Sequence, residues 1–296
     1  MTNDQAFTEE QQHYLQGFAA GCAALQGGLP TFAATLAATQ GSISPAMPLG
    51  PADARQIHWD AQERVITAGQ KLCPEEQAKR NKDPFQMWDE IEANAAAGKF
   101  PKGTDVFLYK YHGLFHVAPA QNAFMCRLRF HGGLANAHQF RGLADIADQY
   151  AGGYSDVTTR ANIQLREIEA HNATNVVSSL IDLGIITRGA GADNIRNVTG
   201  SPTAGIDPKE LFDTRPLTKE MHHYILQHPE MYGLPRKFNI AFDGGGVISA
   251  LADTNDIGFF AVRVEAGHDV PQEFISAWNW VESRDTKTLH AIAACC

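Results

Sequence analysis

The sequence predicts an α+β fold, and three observations carry that reading. Between residues 105 and 187 the hydrophobic period alternates between two and that of a helix, and capping residues mark the switches. The 105 residues before that stretch read as helical and irregular, and a glycine-rich loop with further strands follows it. At 296 residues, 44% hydrophobic and 19% charged, the chain has a globular composition and room for two domains.

The elements follow in order. Thr8-Glu9-Glu10-Gln11 is a capping box opening a helix toward Gly21, and Gln40–Asp53 reads as a linker. Ile57–Leu72 and Pro84–Ala97 read as helices. Phe124, Cys126, Leu128 and Phe130 alternate with Met125, Arg127 and Arg129, which predicts a strand with one apolar face that ends at Gly132-Gly133. Asn136 caps a helix whose apolar stripe is Phe140, Leu143, Ala144, Ala147 and Tyr150, stopped by Gly152-Gly153. Asp156 to Ile168 reads as one strand, Asn172 to Leu183 as a helix closed by Gly184, and Ile185–Thr187 as a strand. This β-α-β-α-β order suggests a ferredoxin-like sandwich. Gly189–Asp213 is loop-like and Thr214–His228 helical. Leu234–Asp243 and Ile257–Val264 are strands separated by Gly244-Gly245-Gly246.

Composition excludes several classes. A net charge of −9 argues against a general nucleic-acid binder. The five cysteines, at 22, 73, 126, 295 and 296, form neither a disulfide framework nor a CxxC pair. His112 and His116 are four apart, but on a stretch that reads as strand, so no metal ligand is assigned. No basic leader opens the chain, and Phe18–Ala38 is too poor in large apolar residues to span a bilayer. A cytoplasmic protein without membrane or nucleic-acid partners is expected.

The candidate chemistry lies on the second strand. Thr158, Arg160, Asn162, Gln164 and Arg166 share one face, about 6.5–7 Å apart between neighbours. Between residues 111 and 200 there are seven arginines and no lysine. Arginine suits bidentate recognition of carboxylates and other oxyanions. A solvated sheet face remains the alternative. Arg127 lies on the polar side of the first strand, Arg196 in the glycine-rich loop, and Lys237 and Asn239 on one face of a later strand. The loop at 189–194 lacks the third glycine of a dinucleotide fingerprint.

Several runs in order resemble the nitrite and sulfite reductase hemoprotein family: Phe124-Met125-Cys126-Arg127, Asp156–Gln164, Asp193-Asn194-Ile195-Arg196-Asn197-Val198-Thr199-Gly200, Ala204–Pro208, Asp213-Thr214-Arg215-Pro216 and Leu234–Asn239. Lys99–Val117 is similar to the assimilatory ferredoxin–nitrite reductase branch. The resemblance divides the chain into a helical segment 1–105, a ferredoxin-like half-domain 106–187, the start of a siroheme and [4Fe–4S] domain at 188–270, and an atypical tail 271–296. It implies siroheme joined to a [4Fe–4S] cluster, with ferredoxin delivering electrons for the six-electron reduction of nitrite to ammonia. On that resemblance Thr158, Arg160, Asn162, Gln164, Arg166 and Arg236 hold the macrocycle, and Arg127, Arg196, Lys237 and Asn239 surround its open axial position. Lys237-x-Asn239 resembles nitrite reductases, whereas sulfite reductases tend to carry two lysines there.

The sequence also departs from the family. His131 stands where a proline is usual. The cluster ligands of the family come from Cys-x5-Cys and Cys-x3-Cys in a second half, a spacing none of the five cysteines reproduces. Gln272–Cys296 reads as unrelated to the family. The expectation is therefore the N-terminal half of a longer enzyme, truncated or frame-shifted. Sulfite reduction, or a non-catalytic fragment lacking the cluster half, stands as the alternative.

Overall fold

The computed structural model describes residues 56–117, 122–264, 282–285 and 288–295, with side chains to residue 262. The expected capping box at Thr8, the helix toward Gly21, the linker at Gln40–Asp53 and the stretch Phe18–Ala38 lie outside the described residues.

Four short helices lead in: α1 Gln56–Thr67, α2 Pro74–Asn81, α3 Trp88–Ala96 and α4 Asp105–Leu108. Helix α1 stops short of the expected Leu72 because Gly69 turns at φ +75° and its N–H closes on Ile66 O. Helix α2 was not expected. Its signals are nonetheless local: Pro74 at the start, Glu75 and Glu76 in the first turn, Lys79 and Arg80 in the last, all matching the helix dipole.

The first sheet is antiparallel in the order β1-β2-β4-β3, with β1 Leu114–Val117, β2 Ala123–Arg127, β3 Ser155–Thr158 and β4 Asn162–Ile168. Helices α5 (Ala137–Tyr150) and α6 (Ala173–Asp182) contribute to its core. Asn136 and Gln139 form the full capping box of α5. Its buried stripe is Leu143, Ile146 and Ala147, while Phe140 (54% exposed) and Ala144 face outward, so two of the five expected core positions are corrected.

Three further expectations change. Asp156–Ile168 is not one strand but the β3–β4 hairpin, turning at Thr159-Arg160-Ala161 with Ala161 at φ +47°. Thr158 pairs with Asn162 and Asp156 with Gln164, so even-numbered residues still share a face, but side by side on two strands. The expected strand Ile185–Thr187 shrinks to one bridge between Ile186 and Arg129. Strand β1 already occupies that edge of β2, from Leu114–Cys126 to Val117–Ala123. Strand β2 is also covered on both faces, since Met125 is buried along with Phe124 and Cys126. On β4 a bulge at Glu167 (φ +59°) returns Ile168 to the core beside Ile163 and Leu165.

A second core gathers Ile195, Val198, Ile225, Ile240, Phe242 and Phe259 against α7 (Arg215–Gln227). Its sheet runs β5-β6-β7-β9-β8, with β5 Thr199–Gly200, β6 Ile240–Asp243, β7 Ile257–Val264, β8 Glu282–Asp285 and β9 Thr288–Cys295. β5, β6 and β7 are parallel neighbours, and β9 is antiparallel to β7. The expected strand Leu234–Asp243 is cut to its last four residues, with Phe238 bridging Ile195 upstream. Pro235 has no N–H to offer a ladder there. The 271–296 stretch, expected to be an atypical tail, contributes β8 and β9 by backbone pairing. The Gly132-Gly133 turn joins the two cores: a Cβ on Gly132 would meet Thr218 of α7 at 2.8 Å, and one on Gly133 would meet Ala161 at 2.8 Å.

Candidate functional site

The first sheet presents its core face to α5 and α6 and a polar face to the loop Gly189–Asn197. Register sets that polar face: Arg127 pairs with Gln164, which pairs with Asp156, and Phe115 pairs with Met125. Arg127 packs its guanidinium 4.4 Å over the Phe115 ring. Arg129, two residues on, is 3% exposed and donates to Gly189 O at 3.0 Å and Ile195 O at 2.9 Å. That grip fixes the loop. Asn194 (donating to Gly191 O, accepting from Gly233 N–H) and Asn197 (donating to Phe130 O) lock its two ends.

The loop carries Arg196, whose N–H bonds Phe238 O at 2.8 Å. Ile195 and Phe238 meet as a parallel bridge and both belong to the second core. Their neighbours Arg196, Lys237 and Asn239 are therefore brought to the other side together. Asn239 has its backbone N–H on Asp256 at 2.8 Å, while its side-chain Oδ1 is buried without a partner. Lys237 is exposed.

Arg127 and Arg196 have no carboxylate within ion-pair distance among the described residues, and Arg196 donates only to Ala190 O at 3.1 Å. Burial first, then the charge of Arg127, holds the Arg196 guanidinium down at about 10, and Arg129 and Arg160 add to that repulsion. Burial and Arg166 lower Arg127 in the same sense. Asp193 offsets part of that repulsion, and the positive charge that remains is one an anion would neutralise.

The residues expected to hold a macrocycle fare differently. Arg160 sits at the hairpin tip and donates to Asn255 Oδ1 at 2.8 Å and Asn197 O at 2.8 Å, with Nε buried and unpartnered. Asn162 is 4% exposed, donating to Leu128 O and accepting from Ile163 N–H. Thr158 Oγ1 accepts from Arg160 N–H at 3.3 Å. Arg166 is ion-paired to Asp156 and donates to Gln164 Oε1 at 3.3 Å. Arg236 pairs with Asp256 at 2.6 Å. The structure thus brings Arg127, Arg196 and Asn239 forward with free polar capacity, and engages Asn162, Arg166 and Arg236 with the protein itself. The positioning roles of Arg129, Asp256 and Phe115 were missed. Arg129 was legible as the next residue on the Arg127 face.

A polycarboxylate such as siroheme fits this donor set: Arg127 and Arg196 without acidic partners among the described residues, and an orphaned buried Nε on Arg160. A [4Fe–4S] cluster does not fit the described cysteines. Cys73 is exposed, and Cys126 is buried in the first core, where desolvation pushes its thiol up to about 12. Among the described residues no three histidine, cysteine or acidic side chains gather as a metal site. Nor is any described helix long and apolar enough to cross a membrane.

Comparison with known proteins agrees with the architecture. Residues 116–183 match the nitrite/sulfite reductase ferredoxin-like half domain, and residues 191–270 match the nitrite and sulphite reductase 4Fe-4S domain. Ferredoxin–nitrite reductase of Leptolyngbya laminosa is 37% identical over 66% of this chain and 40% of its own length. The assimilatory ferredoxin-dependent nitrite reductase of Haloferax mediterranei is 33% identical over 55% of this chain and 30% of its own. The solved structure of the Mycobacterium tuberculosis NirA protein superposes with a TM-score of 0.58 at 26% identity, over 67% of this chain and 39% of that one. The chain spans about two fifths of the length of the ferredoxin–nitrite reductase it matches. With the half domain, the start of the second domain and their order all in place, the chain belongs to the nitrite/sulfite reductase family.

Proposed function

We propose that this chain builds the cationic wall of a siroheme-dependent nitrite reductase, with ferredoxin as the electron donor. The observation that carries the reading is that Arg127, on the sheet's polar face, and Arg196, on the loop against it, have no carboxylate within ion-pair distance among the described residues. Siroheme, held by residues such as Arg160, would supply the electrons for nitrite reduction when bound. The protein supplies the rest. Arg127 and Arg196 donate hydrogen bonds to the nitrite oxygens, and Lys237 adds a full charge as N–O bonds lengthen. Arg160 stands at the hairpin tip, where a macrocycle carboxylate would meet its free Nε.

Asn239 supports nitrite over sulfite. The monoanion is already over-compensated by Arg127, Arg196 and Lys237, so a neutral amide suffices beside them, whereas a dianion would gain from a further cation. The test is titration of siroheme into the full 296-residue chain, followed by its visible absorption, then addition of nitrite. Saturable binding and a nitrite-dependent spectral change, both weakened in Arg196→Gln, are expected. No spectral change with excess siroheme would overturn the reading.

A further inference from the structure

A cavity of about 770 Å³ opens between α1, α2 and the segment Tyr232-Gly233, and none of its lining residues belongs to the Arg127–Arg196 cluster. Its size falls in the range of small-molecule sites, about 300–1,000 Å³, and far exceeds what nitrite needs.

The walls combine aromatic rings with cations. Arg80 lies 4.6 Å over the Trp59 ring, and Arg188 lies 3.7 Å over Phe85. Tyr111 and Tyr232 meet Phe85 edge-on, at 5.5 and 4.9 Å. Stacking on a ring leaves a guanidinium's in-plane N–H groups available to a ligand. Lys79 is engaged with Glu76, with Asp193 at 3.3 Å and with Leu234 O at 2.9 Å. The other donors are not all engaged. Arg188 has no carboxylate within ion-pair distance among the described residues. Arg80 pairs with Glu63 through Nη2, while its Nη1 is buried without a partner. Tyr111 is 1% exposed, and its hydroxyl lacks any partner. A buried hydroxyl and a buried guanidinium N–H without partners destabilise the empty site, and a bound acceptor would remove that cost.

We propose that this cavity binds a planar aromatic anion of mononucleotide size, its ring against the Phe85–Tyr232 wall and its anionic group on Arg188, Arg80 and the Tyr111 hydroxyl. Neutral aromatics would forgo the charged donors, and small inorganic anions the ring contacts. Burial and the nearby Asp193 raise the Tyr111 phenol, so it stays a donor at physiological pH.

Isothermal titration calorimetry of the full chain would use adenosine 5′-monophosphate as probe, against adenosine and ribose 5-phosphate. The nucleotide is expected to bind saturably, with each half at least about ten-fold weaker. Tyr111→Phe, which removes only the hydroxyl, and Arg188→Gln should each weaken it by about ten-fold. The siroheme titration of Arg188→Gln should be unchanged, which separates failure here from failure of the nitrite reductase reading. Because Arg188 is exposed, that variant keeps the test intact if Tyr111→Phe fails to fold. No nucleotide binding up to about 1 mM, equal binding of ribose 5-phosphate, or unchanged affinity in the folded variants would overturn the proposal.

Discussion

At the inner end of the first sheet's polar face, Arg129 closes on the carbonyls of Gly189 and Ile195, with buried His222 beside it. Two residues away, Arg127 rests on an aromatic ring with no carboxylate within ion-pair distance among the described residues. Both guanidiniums are depressed by burial, yet only the first has backbone carbonyls on both of its terminal nitrogens. Identical side chains on one face thus divide into a part that holds the loop and a part left electrostatically unsatisfied. The difference comes from the loop: its carbonyls reach Arg129 and only one of them, on Ala190, reaches Arg196.

Arg129→Ala would break the closed end and carries the largest expected effect. Losing a buried charge-assisted grip on two carbonyls should cost about 3 kcal/mol or more, against under about 1 kcal/mol for Arg127→Gln. Urea denaturation of both variants measures it, and equal losses would erase the distinction between the two ends.

His222 tests the same closed end by pH. Burial first, then Arg129, His131 and His223, lowers it from 6.5 to about 3. Between those values the unfolded chain binds a proton that the folded chain refuses. Stability is therefore full above pH 6.5 and is lost as pH falls toward 3, with a slope from this residue of up to about 1.4 kcal/mol per pH unit. Denaturation midpoints of His222→Gln should fall less steeply over that range. Superimposable pH profiles would place His222 in water.

At the open end, Arg196→Gln should leave stability nearly unchanged while weakening nitrite binding to the siroheme-loaded protein by about thirty-fold, near 2 kcal/mol for a charged hydrogen bond. A large stability loss with intact nitrite binding would move Arg196 to the structural class. The smallest effect expected is at Asn239. In the intact enzyme of which this chain would form the N-terminal half, Asn239→Lys should lower the kcat/KM ratio of nitrite over sulfite by on the order of ten-fold, measured with one electron donor for both anions. A ratio shifted toward nitrite would mean that this position does not read substrate charge.

Much of this was legible from residue order. The cap at Asn136 and the stop at Gly152-Gly153 were readable from local chemistry, as was the strand Ile257–Val264. The hairpin was not, because Thr159-Arg160-Ala161 contains no glycine or asparagine and the left-handed residue is an alanine. Arg160 was accordingly placed in a row with Asn162 when it stands at a tip. The strand at Ile185–Thr187 had the right period, but the edge it would need was taken by β1.

The sequence by itself determined the alternation of periods, the ferredoxin-like order and a concentration of arginines without lysine. It also determined which residues could share a face, since parity survives the three-residue hairpin loop. Only the tertiary structure decided which arginines remain unpaired. Arg166 meets Asp156 across the hairpin, Arg236 meets Asp256 twenty residues on, and Arg129 meets carbonyls some sixty residues away. Arg127 rests on the Phe115 ring and Arg196 donates to Ala190 O, with no acid in ion-pair distance of either among the described residues. Charge pairing falls off over a few ångströms and is blind to distance along the chain, so the folded register, not the motif, selects the residues free to take an anion.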